Sequence, residues 1–261
     1  LKVGGYAAAN VKHLPGFFPN FLAMCVEHKL PLDFFSWHSY NDDPEVVREL
    51  SEYVREMLDS HGYGKTESHY NEWNLFDADG HVLFLPGNEH YRREMFERGK
   101  GTQGASYASA VLSLMQDLPI DAANYYDGQP SALFCGLFDY YGVPTKTYYA
   151  FRRFNELTQY GQRAWTECGE QGVYLCAAAA PDRGTASGRE GAALISNWRG
   201  VSGYYDIFLP GGGWEVEEYR IDHDRTDVLA GLHTVTPDQP LRLFLPRETT
   251  LYLKVKPVSG A

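Results

Sequence analysis

Four times in residues 1–162 a short apolar run gives way to a helical stretch, and after that the helical stretches stop. Repeated strand-then-helix units imply a parallel sheet with helices outside it, because parallel neighbours need a long crossover between them. The strand-like runs are Lys2-Val3-Gly4-Gly5, Leu32 to His38, Thr66 to Trp73 and Ala122 to Asp127. The helical stretches are Phe18 to His28, the segment opened by Asp43-Pro44-Glu45, Thr102 to Leu118, and Thr145 to Tyr160. In the second, Asp43 is placed to cap the helix and Pro44 to occupy its first turn. Val46, Val47, Leu50, Tyr53, Val54, Met57 and Leu58 then recur at three- and four-residue steps, which makes one face apolar. The intervening Asp77 to Gly101, rich in charge and Gly, reads as a loop.

Residues 163–261 have a different rhythm. Gly172–Ala179, Ala192–Trp198, Tyr204–Leu209, Trp214–Ile221, Leu241–Leu245 and Thr250–Val255 are short strand-like runs broken by Gly, Pro and Asp. That spacing marks an antiparallel β-sandwich. Pro181 to Gly191 reads as an exposed hairpin loop. Two domains are therefore expected, 1–162 and 163–261.

A net charge of -11 argues against nucleic acid as a partner, since phosphate binding needs a basic patch. No run approaches the roughly 18 apolar residues of a membrane span. Cys25, Cys135, Cys168 and Cys176 lack metal-type spacing, and free buried thiols are expected. Leu1 rather than Met opens the sequence and no signal-peptide pattern follows, so a processed or truncated start is expected and the compartment stays unassigned.

The candidate chemistry lies in Thr66-Glu67-Ser68-His69-Tyr70-Asn71-Glu72-Trp73-Asn74. It reads as a buried strand that ends in an acid, an indole and two amides. An aromatic ring stacks on a pyranose face, amides bind hydroxyls, and a carboxylate attacks or deprotonates. The alternative is an idle, solvated Glu at a strand end. Strand residues alternate faces, so Tyr70 and Ser68 are expected on the side of Glu72, and Phe34, Ser36, His38 and Tyr40 together on one side of their own strand.

The order of these motifs resembles the C-terminal part of glycoside hydrolase family 39, the β-xylosidase and α-L-iduronidase family. Val3-Gly4-Gly5-Tyr6-Ala7 resembles the fifth barrel strand, with Tyr6 in place of Pro. Asp33-Phe34-Phe35-Ser36-Trp37-His38-Ser39-Tyr40 resembles the sixth. Asn71-Glu72-Trp73-Asn74 resembles the seventh, where the Glu is the nucleophile. Gly136-Leu137-Phe138-Asp139 with Gly142 and Lys146 resembles the segment after the eighth.

The resemblance implies half of a (β/α)8 barrel, made of four βα units, followed by a β-sandwich. It implies a retaining glycosidase acting on β-linked pentosides such as xylosides, with Glu72 as nucleophile and no cofactor. His38 and Tyr40 would face Glu72, and Asn71, Trp73, Asn74 and Tyr125 join them as candidate sugar contacts. His38 also fits a core histidine, and Trp73 a helix-facing core residue. Retention needs a second carboxyl about 5–5.5 Å from the nucleophile, and the strand that carries it in the family has no counterpart in this sequence. Three readings therefore stand: a glycosidase, a silent carbohydrate-binding or assembly module, and a piece of a longer enzyme. An open half-barrel leaves edges and an apolar face to cover, so a homodimer or higher even oligomer is expected. A twofold pairing would bring the partner's last barrel strand, which ends in Asp127, opposite Glu72. Asp127 is then the candidate acid/base, and a turn-forming Asp is the alternative.

Overall fold

The computed structural model describes residues 1–77, 82–83, 85–130, 134, 136–181, 189–237 and 239–258. A four-stranded parallel sheet runs in the order β1 (Ala8–Ala9), β2 (Phe34–His38), β3 (Glu67–Trp73), β4 (Ala122–Tyr125). The helices α1 (Phe17–Glu27), α2 (Pro44–Ser60), α3 (Glu89–Lys100), α4 (Thr102–Met115) and α5 (Lys146–Leu157) alternate with it or follow it. The Gly-Gly segment meets the sheet only through a bridge from Gly4 to Phe34, and the β1 ladder falls at Ala8–Ala9 instead. A side chain at Gly4 would collide with the Phe34 ring, which keeps that approach glycine-only.

One face of the parallel sheet is sealed by helices. Phe35 and Trp37 of β2 and Tyr70 and Trp73 of β3 pack with Phe18 and Leu22 of α1 and with Val47, Leu50, Val54 and Leu58 of α2. The even-numbered β2 residues Phe34, Ser36 and His38 lie on the opposite face and are only half-buried. Asp43 accepts from the Glu45 N–H at 3.0 Å and so caps α2, with Pro44 in its first turn.

The second half contains a six-stranded antiparallel sheet. Its order is β10 (Thr226–Val235), β9 (Trp214–Ile221), β12 (Thr249–Pro257), β7 (Gly191–Asn197), β6 (Val173–Ala179), β5 (Gln162–Ala164). A two-stranded sheet, β8 (Gly203–Ile207) with β11 (Leu241–Leu245), packs on one of its faces through Val216, Leu243, Leu245, Leu251 and Leu253.

Helix α4 joins the parallel sheet to the large antiparallel one. Every residue from Gly104 to Met115 is buried, as expected of a helix with small or apolar side chains all round. Ser106 Oγ lies 2.8 Å from Ser196 Oγ of β7, and Thr250 Oγ1 of β12 donates to Ser109 Oγ at 3.2 Å. Small residues let backbone and sheet approach closely, and the paired hydroxyls satisfy one another.

Besides the shift of β1 and the unexpected short β5, the sequence reading needs correction at two longer elements. Within the expected Asp77 to Gly101 loop, residues 89–100 form α3. Only Met95 and Gly99 of that helix are buried, so it lacks the apolar stripe that signals a helix. It is laced instead by charge pairs one turn apart, Arg92 with Glu89 and Lys100 with Glu97. Strand β10 was not anticipated, because its ladder slips between Thr226 and Val228 and again between Leu229 and Gly231. Each slip breaks the two-residue alternation by which a strand is recognised. Most of the 181–191 stretch lies outside the described residues, as does Cys135. Cys25 and Cys176 are buried free thiols, whereas Cys168 is exposed.

Candidate active site

The C-terminal ends of β2 and β3 bring together His38, Tyr40 and Glu72. His38 is the direct ladder partner of Glu72. Tyr40 lies two residues past the end of β2, and its hydroxyl donates to Glu72 Oε2 at 2.6 Å. Burial, then the hydrogen bond and charge of Glu72, push the Tyr40 phenol well above the usual tyrosine range. The phenol therefore stays a donor to the carboxylate at ordinary pH. The His38 and Tyr40 rings are 6.4 Å apart, and His38 Nδ1 is buried without a hydrogen-bond partner.

Alternation alone puts Glu72 on the wrong face. Ser68 and Tyr70, expected on its side, turn toward the helices: Ser68 Oγ accepts from Trp37 Nε1 at 3.0 Å, and the Tyr70 ring stacks on Trp37 at 4.3 Å. The ladder explains the discrepancy. Trp37 pairs with Tyr70, but the next residue, His38, pairs with Glu72. On the other side Tyr70 pairs with Ala123 while Trp73 pairs with Tyr125. Strand β3 thus holds one extra residue relative to both neighbours, a bulge at Asn71–Glu72. It returns Glu72 to the open face that Asn71 already occupies.

The other candidates are distributed around this pair. Asn71 is half-buried, with Oδ1 lacking a partner. Trp73 is 1% exposed and packs flat against Tyr70 and Phe151 on the helical side. Asn74 is buried and ties two strand ends together: its amide donates to Tyr126 O at 2.7 Å, and its Oδ1 accepts from Leu75 N–H and from the Tyr125 hydroxyl. The Tyr125 ring meets Trp73 and Phe151 edge-on. Asp127 lies two residues beyond β4, with Oδ2 accepting from Gln129 Nε2 at 3.2 Å and Oδ1 buried without a partner.

Sequence reasoning missed the aromatic wall beside the acid. Phe76, Phe134 and Tyr126 have ring centroids 5.5, 4.9 and 6.5 Å from that of Tyr40. Phe134 also stacks on Phe76 and meets Tyr126 edge-on. The available signal was position: Phe76 follows β3 and Tyr126 follows β4, where loops at the strand C-terminal ends gather in this architecture.

The fold that carries these residues has parallels in solved structures. A glucosidase from Croceicoccus marinus superposes with a TM-score of 0.71 at 20% identity, over 99% of this chain and 61% of that one. A monomeric β-xylosidase from Caulobacter crescentus CB15 gives 0.65 at 15% identity, over 99% and 62%. A family 30 endoxylanase from Clostridium papyrosolvens C71 gives 0.56 at 16%, over 98% and 56%. The chain has a glycoside hydrolase fold. It spans about three fifths of the length of these neighbours. No protein-family model and no curated protein sequence matches it. In this chain the Glu72 carboxylate stands at a strand C-terminal end, held by the Tyr40 hydroxyl and beside the rings that pack on Tyr40. Among the described helices none is long and apolar enough to cross a membrane.

Proposed function

We propose that the chain carries the nucleophile side of a retaining glycoside hydrolase site, of the family 39 type, acting on β-linked pentosides such as xylosides. The observation that carries this reading is the 2.6 Å bond from the Tyr40 hydroxyl to Glu72 Oε2 at the end of a parallel strand. The bond orients the carboxylate. With Oε2 held, Oε1 attacks the anomeric carbon as the glycosidic C–O bond breaks, giving a glycosyl ester that water then cleaves. His38 and Asn71 are the candidate hydroxyl ligands, each with an unpartnered atom at the site. Asn74 and Tyr125 serve by holding the β4 end. In this reading the half-barrel occupies residues 1–162 and the sandwich 163–261.

The leaving oxygen needs a proton from a second carboxyl about 5–5.5 Å from the first. Our candidate is Asp127 of a second copy, brought in when the β4 edge of one protomer meets the β1 edge of the other. Mixing Glu72→Gln protomers with Asp127→Asn protomers tests this, since activity should reappear only in the mixture. Full activity of Asp127→Asn alone on an unactivated xyloside removes Asp127 from the mechanism.

The nucleophile is tested with an activated 2-fluoro-xyloside, which loses its leaving group as it glycosylates a live carboxylate, and whose glycosyl-enzyme turns over slowly. Mass spectrometry should find one sugar on the peptide containing Glu72, and none after Glu72→Gln. Labelling elsewhere, or equal labelling of the variant, rejects the assignment. A second reading, binding without turnover, is favoured by the unpartnered His38, Asn71 and Asp127 atoms, which a bound sugar would satisfy. Calorimetric binding of xylo-oligosaccharides with no Glu72 labelling would select it.

A further inference from the structure

Tyr40 lies beyond the last ladder residue of β2, so the sheet alone does not fix its hydroxyl. Its neighbours in the chain do. Ser39 Oγ is 2.9 Å from Tyr70 Oη, and Tyr70 also donates to Ser39 O at 2.9 Å. Asn41 bridges Leu75, and its carbonyl accepts from Phe76 N–H at 3.1 Å. From α4, the Tyr107 hydroxyl donates to Asn41 Oδ1 at 2.9 Å. The remaining anchors come from the antiparallel sheet. Trp198, the residue after β7, donates its indole N–H to Asp42 O at 3.0 Å, and the Arg199 guanidinium pairs with the Asp42 carboxylate. Trp198 is buried, with its ring edge-on to Tyr107 at 5.5 Å and the Arg199 guanidinium over it at 5.3 Å.

We propose that Trp198 and Arg199 are positioning residues for the candidate site: by clamping Asp42 they hold the Tyr40 hydroxyl on Glu72, so the antiparallel sheet is a working part of the site. This rests on the reading of Tyr40 and Glu72 as the reactive pair. The lever is short. Asp42 is two residues from Tyr40, and a displacement of about 1 Å carries a 2.6 Å hydrogen bond past bonding distance. Tyr174 of β6 adds a parallel strut, donating to Glu45 Oε1 at 3.1 Å in the first turn of α2. A tryptophan that only filled core would, on losing its N–H, cost stability and leave Tyr40 where it is.

Fluorine NMR separates the two roles. With 3-fluorotyrosine placed at position 40 of the full chain, the fluorine shift reads ionisation of that one phenol. The titratable groups facing Tyr40 are Glu72, Tyr126, Tyr70 and, through its ring, His38, and Trp198→Phe alters none of them. We expect the Trp198→Phe protein to titrate at least about one pH unit lower than the parent, a tenfold change in the ionisation constant. Arg199→Met should move it in the same direction by less, and the Glu72→Gln protein sets the value reached when the carboxylate charge is gone. Arg199 is half-exposed, so that variant keeps the test open if Trp198→Phe is too unstable to study. The comparison is made below the pH at which the parent unfolds; a fluorine signal that stays as fully protonated in both variants as in the parent over that range overturns the proposal. Because no sugar is involved, the readout holds whether or not Glu72 proves to be a nucleophile. If 2-fluoro-xyloside does label Glu72, the labelling rate in Trp198→Phe should fall about tenfold.

Discussion

Tyr40 and Glu72 meet at 2.6 Å where the β3 ladder gains its extra residue. In a regular ladder of the same sequence, without the bulge, Glu72 would follow the parity of Ser68 and Tyr70 and point into the helical layer. The bulge therefore has a chemical consequence as well as a structural one: it places an ionisable oxygen among aromatic rings on the open face of the sheet. Bulges recur beside functional sites for this reason, since they re-aim one side chain without disturbing the strand.

Tyr40→Phe removes a hydrogen bond to a charged acceptor and leaves the ring packed on Phe76 and Phe134. Such bonds are worth about 1.5–3 kcal/mol. If Glu72 is trapped by the 2-fluoro sugar, that step should slow by about ten- to a hundredfold, and the melting temperature should fall by several degrees. An unchanged trapping rate would show that the bond does not orient the Glu72 carboxylate.

Asp227 and Arg153 form a buried pair that fastens α5 to β10, with side chains 2% and 6% exposed. The Arg153 guanidinium also lies over the rings of Tyr219 and Tyr252, at 4.0 and 4.9 Å. Asp227→Asn suits the left-handed backbone there (φ 56) but leaves Arg153 only the Glu156 carboxylate, at 2.8 Å, of its two described partners. We expect it to cost about 3 kcal/mol in urea unfolding, the low end for a buried pair broken on one side. Adding Arg153→Met should restore part of the loss, and additive losses would refute the coupling.

Gly104 packs where α4 crosses the end of α3. A Cβ there would overlap Gly99 O and stand 2.6 Å from Thr147 Oγ1. Gly104→Ala should therefore destabilise by about 1–3 kcal/mol despite its better helix propensity. A stabilised variant would mean that the crossing relaxes freely.

Burial raises the phenols of Tyr70, Tyr107 and Tyr252 above their ordinary range. Above about pH 10 the unfolded chain releases these protons first, so it binds fewer protons than the folded one and stability falls as pH rises. The three together give a slope of about 4 kcal/mol per pH unit above that point, and none below it. Ultraviolet titration should show these tyrosines ionising only as the chain unfolds. Ionisation in the native state near pH 10 would contradict their burial.

Much of the fold could be read from local pattern. The apolar faces of β2 and α2, the Asp43 cap with Pro44, and the change from βα units to short strands are set by residues close in sequence, whose periods are 2 and 3.6. Helix α3 escaped because its stability comes from charge pairs rather than an apolar stripe, and β10 because two register slips erase its alternation. Glu72 was legible as a strand-end acid beside an indole and two amides. The outward turn of Trp73 and the engagement of Asn74 with the β4 end were not, because each depends on which strand lies alongside.

The sequence by itself determined most of the elements, the change from βα units to short strands, and the presence of an acid where a strand meets its loop. Only the tertiary structure decided where that acid points and what holds it. Tyr40 and Glu72 are 32 residues apart, and Trp198 and Asp42 are 156 apart. A hydrogen bond between such residues leaves no trace in local periodicity, because its geometry depends on sheet register and on the packing of α4 between the two sheets. Both are properties of the assembled chain. A one-residue slip of register suffices to reverse the face on which a carboxylate appears.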